Sequence, residues 1–283
     1  MKILRYLVVI LSFSCITTIA VAESAKKKST SKSVSQSSLK SFDLSQEQLP
    51  PNYSGISLFA LYNKILDWKY KRPEKNEFET TAQFEERVAR YDSKPIFKNL
   101  GAQDLFASSF GATLKYDADT QAATASIHII NSEGSAIIRS SSFSENTCCI
   151  LTNNEKTTES SDYRSNAFRA TVKVESTRTK REGISISNTD VFNVKSSDNC
   201  SSVLTFPIPK LTPDSAKKLK DNMYCLIICK ISNPFEKRMF SGNEATFNQP
   251  YATANYYYYV VAEIKEIWVY NKKTGYIYQK TKY

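Results

Sequence analysis

Apolar and polar positions alternate with two different periods along this chain, and the periods divide it into a helical and a β-rich part. In "ISLFALYNKILDWKYK", residues 56–71, Asn63, Lys64, Asp67 and Lys71 form a narrow polar stripe at helical spacing. Leu58, Phe59, Leu61, Tyr62, Ile65 and Leu66 fill the remaining surface. So wide an apolar face predicts a largely buried helix, which Pro73 ends or follows. The next stretch, "EFETTAQFEERVARYD" (77–92), is crowded with carboxylates but reads as a capped helix. Thr80 and Gln83 have capping-box spacing. Phe84, Val88 and Tyr91 fall on one face. Glu77 and Glu79 precede the N-terminus, where the helix dipole favours negative charge. Glu86 and Arg90 are spaced as an ion pair, which leaves Glu85 as an exposed residue without a role.

From Gly111 onward the period changes to two. "ATLKYDADTQAATASIHII" reads as two strands joined by a turn at 117–121, with Ala123, Ala125, Ile127 and Ile129 on one face. Thr124, Ser126 and His128 take the other. Further strands are expected at 136–142, 167–176, 184–188 and 202–208, interrupted by a polar loop, "NTCCILTNNEKTTESSDYRSN". Thr212 and Pro213 mark the start of a short helix near 213–221, and "MYCLIICKI" follows as a strand. In 256–264, Tyr256, Tyr258, Val260, Ala262 and Ile264 share a face. Beyond Lys265 the apolar parity moves to Ile267 and Val269, which predicts a bulge near Lys265 and Glu266. "NKKTG" reads as a hairpin turn with Gly275 left-handed, and 276–282 as the last strand. The fold class expected is α+β: mostly antiparallel β, sandwich-like or strongly curved, with two N-terminal helices and the short helix near 213–221. It forms a single globular domain over 53–283.

The N-terminus changes the picture of where the chain works. Lys2 and Arg5, an apolar run and Ala20-Val21-Ala22 compose a secretory signal peptide over 1–22. Cys15 offers a minor alternative, a lipoprotein site. Residues 23–52 are Ser- and Lys-rich with almost no apolar residues, and read as a disordered spacer closed by Pro50-Pro51. The formal net charge is +10, and part of that excess belongs to this arm and the leader. The expected location is exported, periplasmic or extracellular. The partners this implies are another envelope protein or an anionic surface met through the basic arm; nucleic acid is not expected. The 77–92 stretch and the closing "PYATANYYYYVVAEIKEIWVYNKKTGYIY" resemble exported bacterial proteins of no assigned activity. That resemblance implies a bacterial source and transfers no function.

Chemistry is sparse. The only histidine, His128, sits on a polar strand face. No G-x-S-x-G, H-E-x-x-H or phosphate-binding glycine loop occurs. With one histidine and no C-x2-C pair, no zinc site is expected. Cys225 and Cys229 lie about 13 Å apart along one strand, too far for a mutual disulfide. Cys148, Cys149 and Cys200 are the region for a bridge. The run Tyr256–Tyr259 alternates faces, so by itself it cannot make one aromatic platform. No catalytic, cofactor or metal residue is assigned. The reading is an exported bacterial envelope protein acting as a non-enzymatic binding or interaction module. Its alternatives are a secreted factor acting on a host or neighbouring cell, and a carboxylate-based hydrolase, which leaves no local motif.

Overall fold

The computed structural model describes residues 41–138, 141–165, 171–192 and 202–283. Two helices come first, α1 (Leu58–Tyr70) and α2 (Thr81–Asp92). Among the described residues nine strands follow: β1 (Leu105–Gly111), β2 (Thr113–Asp117), β3 (Ala122–Ile138), β4 (Ser141–Ser165), β5 (Thr171–Ile186), β6 (Ser202–Ile208), β7 (Met223–Asn243), β8 (Tyr251–Asn271) and β9 (Ile277–Lys282). The short helix α3 (Pro213–Leu219) precedes β7. The architecture is α+β, with a mostly antiparallel sheet; among the described residues the one parallel pairing is β5 with β8.

Local chemistry sets the helices. Ser57 caps α1, its side chain accepting from the Ala60 amide at 3.3 Å, and Leu61 and Ile65 are fully buried. Thr80 and Gln83 form a complete capping box on α2. The docking expected of α2 is shallower than its pattern suggests. Phe84, Val88 and Tyr91 are only half-buried, and no residue of the helix is fully buried. Polar contacts reinforce the packing of Tyr91 on Trp68, whose ring centres lie 5.6 Å apart. The Tyr91 hydroxyl donates to the Trp68 carbonyl at 2.8 Å, and Arg72 makes a two-pronged contact with Asp92 at 3.0 and 2.7 Å. Glu79 is occupied by Arg87 at 2.9 and 2.6 Å rather than only by the dipole.

The sheet is built around β7 and β8. Their sequences are apolar without alternation at one end because both faces are buried there. Cys225, Ile227, Cys229, Ile264, Ile267 and Val269 enter the main core. So do Ala123, Ala125, Ile127 and Ile129 of β3 and Phe206 and Ile208 of β6, which pair edge to edge. The parity switch in β8 is a bulge at Lys265: Ile228 pairs Glu266 and Cys229 pairs Ile264, skipping one residue. The extra residue returns Ile267 and Val269 to the same core as Val260 and Ala262. Gly275 closes the β8–β9 turn at φ +77°.

Four expectations need correction. Residues 146–165 of the polar segment are not a loop: β4 runs through them to Ser165 and pairs β5. Its Thr, Ser and Asn residues show no apolar alternation, so only the backbone ladder reveals the strand. The pieces expected at 167–176 and 184–188 belong largely to one strand, β5, with 166–170 outside the described residues. Similarly, β7 does not stop after "MYCLIICKI". It continues past Pro234 through a register break between Ile231 and Glu236, the position where a strand tolerates proline. Finally, the last part of the expected spacer packs. Residues 41–53 lie across the outer face of β7 and β8, where Phe42, Leu44, Leu49 and Tyr53 cover Leu226, Ile228, Trp268 and Tyr270. Backbone bonds from Phe42 to Leu105 (2.7 Å), Leu49 to Gly275 (2.9 Å) and Asn52 to Lys272 (2.7 Å) fix this strap. The earlier spacer, the leader and Cys15 lie outside the described residues.

Candidate binding face

Beyond the Ile231/Glu236 break, β7 and β8 change character. Residues 251–262 of β8 carry no Asp, Glu, Lys or Arg, and five are tyrosines. Its neighbours on either side are rich in cations: Arg178, Lys180 and Arg181 on β5, Lys237 and Arg238 on β7. Register sets cations beside rings and small residues. Arg178 pairs Ala254, Lys180 pairs Tyr256 and Glu182 pairs Tyr258. On the other flank Arg238 pairs Tyr258, Phe240 pairs Tyr256 and Gly242 pairs Ala254. Paired residues on neighbouring strands share a face, so these side chains form one surface.

The contacts on that surface interleave cations with rings. The Lys180 ammonium lies 3.1 Å from the Phe59 ring centre and 5.9 Å from that of Tyr258. The Arg238 guanidinium lies 6.0 Å from Tyr256 and 5.7 Å from Tyr258. Arg178 lies 4.7 Å from Tyr256, on the β5 side. Phe240 packs on Tyr256 at 5.2 Å, and Tyr258 meets Phe59 and Tyr62 edge-on at 5.7 and 5.4 Å. Helix α1 therefore covers the Tyr258 end. The Tyr256 end is open: Arg178 and Arg238 are exposed and Tyr256 and Phe240 half-buried. Two carboxylates near the helix are already matched, Glu236 to Lys69 at 2.8 Å and Glu182 to Lys180 at 3.2 Å.

The opposite face of the same strands is closed. Tyr257 and Tyr259 stack at 6.0 Å and pack with Met239 and Cys149. The tyrosine run thus splits two and two, and the open face gains its other rings from α1 and β7. The sequence could not supply that, because Phe59, Phe240, Arg178 and Arg238 meet only through long-range pairing.

The cysteines are placed where they are chemically quiet. Cys148 is disulfide-bonded and faces the main core. Its neighbour Cys149 points to the other face, as consecutive strand residues do, and is a free, buried thiol donating to the Tyr259 hydroxyl at 3.4 Å. Cys200 lies outside the described residues. Burial pushes Cys149 up to about 11, despite the Tyr259 hydrogen bond and the nearby Lys237 and Arg181 charges. Burial also pushes Cys225 up to about 12, and Cys229 in the same direction. Thiols so held stay protonated and are poor nucleophiles near neutral pH. His128 is exposed on β3, across from Val203 on β6. In the carboxylate-rich stretch, the hydrogen bond from Arg87 holds Glu79 below the usual carboxylate range. A general acid needs the opposite shift. Among the described residues, no cluster of His, Cys, Asp and Glu has metal-binding geometry.

Compared with known proteins, the chain matches no family model, no curated protein and no solved structure.

Proposed function

We propose that this chain is an exported bacterial envelope protein that works as a non-enzymatic binding module, and that the Arg178–Tyr256–Arg238 face is its contact surface for an anionic partner. The leader and the lysine-rich arm support export. One observation carries the binding reading: two guanidinium groups from opposite flanking strands lie 4.7 and 6.0 Å from the same half-buried tyrosine ring. The exposed guanidinium of Arg238 can recognise carboxylate and phosphate groups in two-pronged geometry, and Arg178 adds positive charge beside it.

Two measurements test this. Fractionation into cytoplasm, periplasm, membrane and medium should place the protein outside the cytoplasm. Retention of the mature protein on a heparin column should fall sharply in the Arg178→Gln/Arg238→Gln variant. It should hardly change in Lys273→Gln/Lys282→Gln, which removes the same charge from exposed positions elsewhere. Equal loss in both variants would mean that net charge, not this face, governs binding.

A further inference from the structure

Cys148 is disulfide-bonded, and the other three cysteines among the described residues are free. We infer that its partner is Cys200 and that this bridge, closed after export, ties β4 to the start of β6; the inference rests on the export reading above.

The partner follows by elimination. The chain has six cysteines. Cys149, Cys225 and Cys229 are free thiols. Only Cys15 and Cys200 remain. Cys15 belongs to the leader, which export removes, so the mature chain keeps one candidate. Register agrees with it. Cys148 of β4 lies opposite Asn131 of β3, and Ser202 of β6 lies opposite Ile129. The two strands therefore meet β3 two residues apart, about 7 Å along its length. Cys200 precedes Ser202 by two residues, about the same length of chain. Both lengths match the Cα separation that a disulfide spans.

Cys149 does not compete for this bond. Consecutive strand residues face opposite ways. Cys148 faces the main core, whereas Cys149 is buried on the other face against Met239, Tyr257 and Tyr259.

The bridge strengthens a segment that burial alone holds poorly. Among the described residues β4 pairs β3 only through Ser141–Cys149, and its later residues show no apolar alternation. A cross-link from Cys148 to Cys200 closes a loop of about 50 residues that contains β5, which lowers the entropy of the unfolded chain. Its formation is a thiol–disulfide exchange. The two thiols give up two protons and two electrons as the S–S bond forms. A disulfide-bearing oxidant takes them up and becomes a dithiol. That exchange runs forward outside the cytoplasm, where thiols are not held reduced.

The test counts thiols on protein purified without reductant from each cell fraction, by intact mass after maleimide labelling in denaturant. The leaderless chain should take three labels before reduction and five after. Its unreduced digest should hold the Cys148 peptide joined to the Cys200 peptide, with the label on Cys149. Cys200→Ser should take four labels before reduction and unfold at a lower denaturant concentration. Cys149→Ser should keep the joined peptides. The wild-type digest decides the pairing even if the Cys200→Ser chain misfolds. A leaderless chain that takes five labels before reduction, or that joins Cys148 to another cysteine, overturns the bridge and leaves export standing. A chain that keeps its leader in the cytoplasmic fraction, with six labels or with Cys148 joined to Cys15, overturns both.

Discussion

The two ends of the β7–β8 pair share one hydrogen-bonded ladder and have opposite surroundings. At the Met223–Ile231 end, both faces are covered, one by the main core and one by the strap, and Trp268 and Tyr270 are fully buried. At the Glu236–Asn243 end, one face is packed around Cys149 and Tyr259 while the other lies open beyond α1. The register break between Ile231 and Glu236 separates them. A strand pair buried on both faces has little freedom in sequence, and its side chains serve stability. One with an open face can carry arginines stacked on rings. The comparison teaches that stability and binding are divided along the strands, not between separate elements.

The largest expected effect lies at the closed end. Trp268→Ala should cost about 3–5 kcal/mol, because it opens a cavity under the strap. It also removes the indole N–H that donates to buried Glu266 at 2.7 Å. Denaturant unfolding would measure it, and a loss below about 1 kcal/mol would show that the strap does not seal this face. Next is the strap itself. A chain starting at Tyr53 should be less stable than one starting at Ser41 by about 3 kcal/mol, chiefly through loss of buried Leu49 and the Phe42 contact on Trp268. Equal stability would return residues 41–52 to the role of spacer.

Alkaline pH probes both ends at once. Cys149 and Cys225 have folded values of about 11 and 12 against an ordinary value near 9. Because these values are raised, the stabilising contribution is complete below pH 9 and is lost as pH rises from there toward 11–12, when the unfolded chain ionises first. The unfolding free energy should be level from pH 7 to 8.5 and fall by roughly 5 kcal/mol by pH 11. Cys149→Ala should flatten part of that fall; a wild-type profile that stays level to pH 11 would show that the thiols are not buried as described. The smallest effect is at His128. Its replacement by Gln should change stability by less than about 0.5 kcal/mol, since it is exposed on the outer face of β3.

Features that depend on neighbours in sequence were legible. The capping box at Thr80 and Gln83, the left-handed Gly275, the bulge at Lys265 and the inward face of Ala123 to Ile129 all follow from local spacing. Features that depend on pairing across the chain were not. β4 hides because its polar residues lack alternation, and β7 because Pro234 falls inside it. The strap looked like linker because Phe42, Leu44 and Leu49 are thinly spread among polar residues, yet these are the ones that pack. The candidate face was half visible. The tyrosine run stands out in the sequence, but its arginine flanks come from about 80 residues upstream on β5 and about 20 on β7, and only the register unites them.

The division of labour along β7 and β8 is tested most directly by one pair of readings on the Arg178→Gln/Arg238→Gln variant. Its unfolding free energy and its affinity for heparin should be measured side by side with wild type. The account predicts an unfolding free energy within about 1 kcal/mol of wild type, because exposed cation–ring contacts contribute little, together with at least about a tenfold loss of affinity. A variant that unfolds several kcal/mol more easily, or one that binds as wild type does, would contradict it.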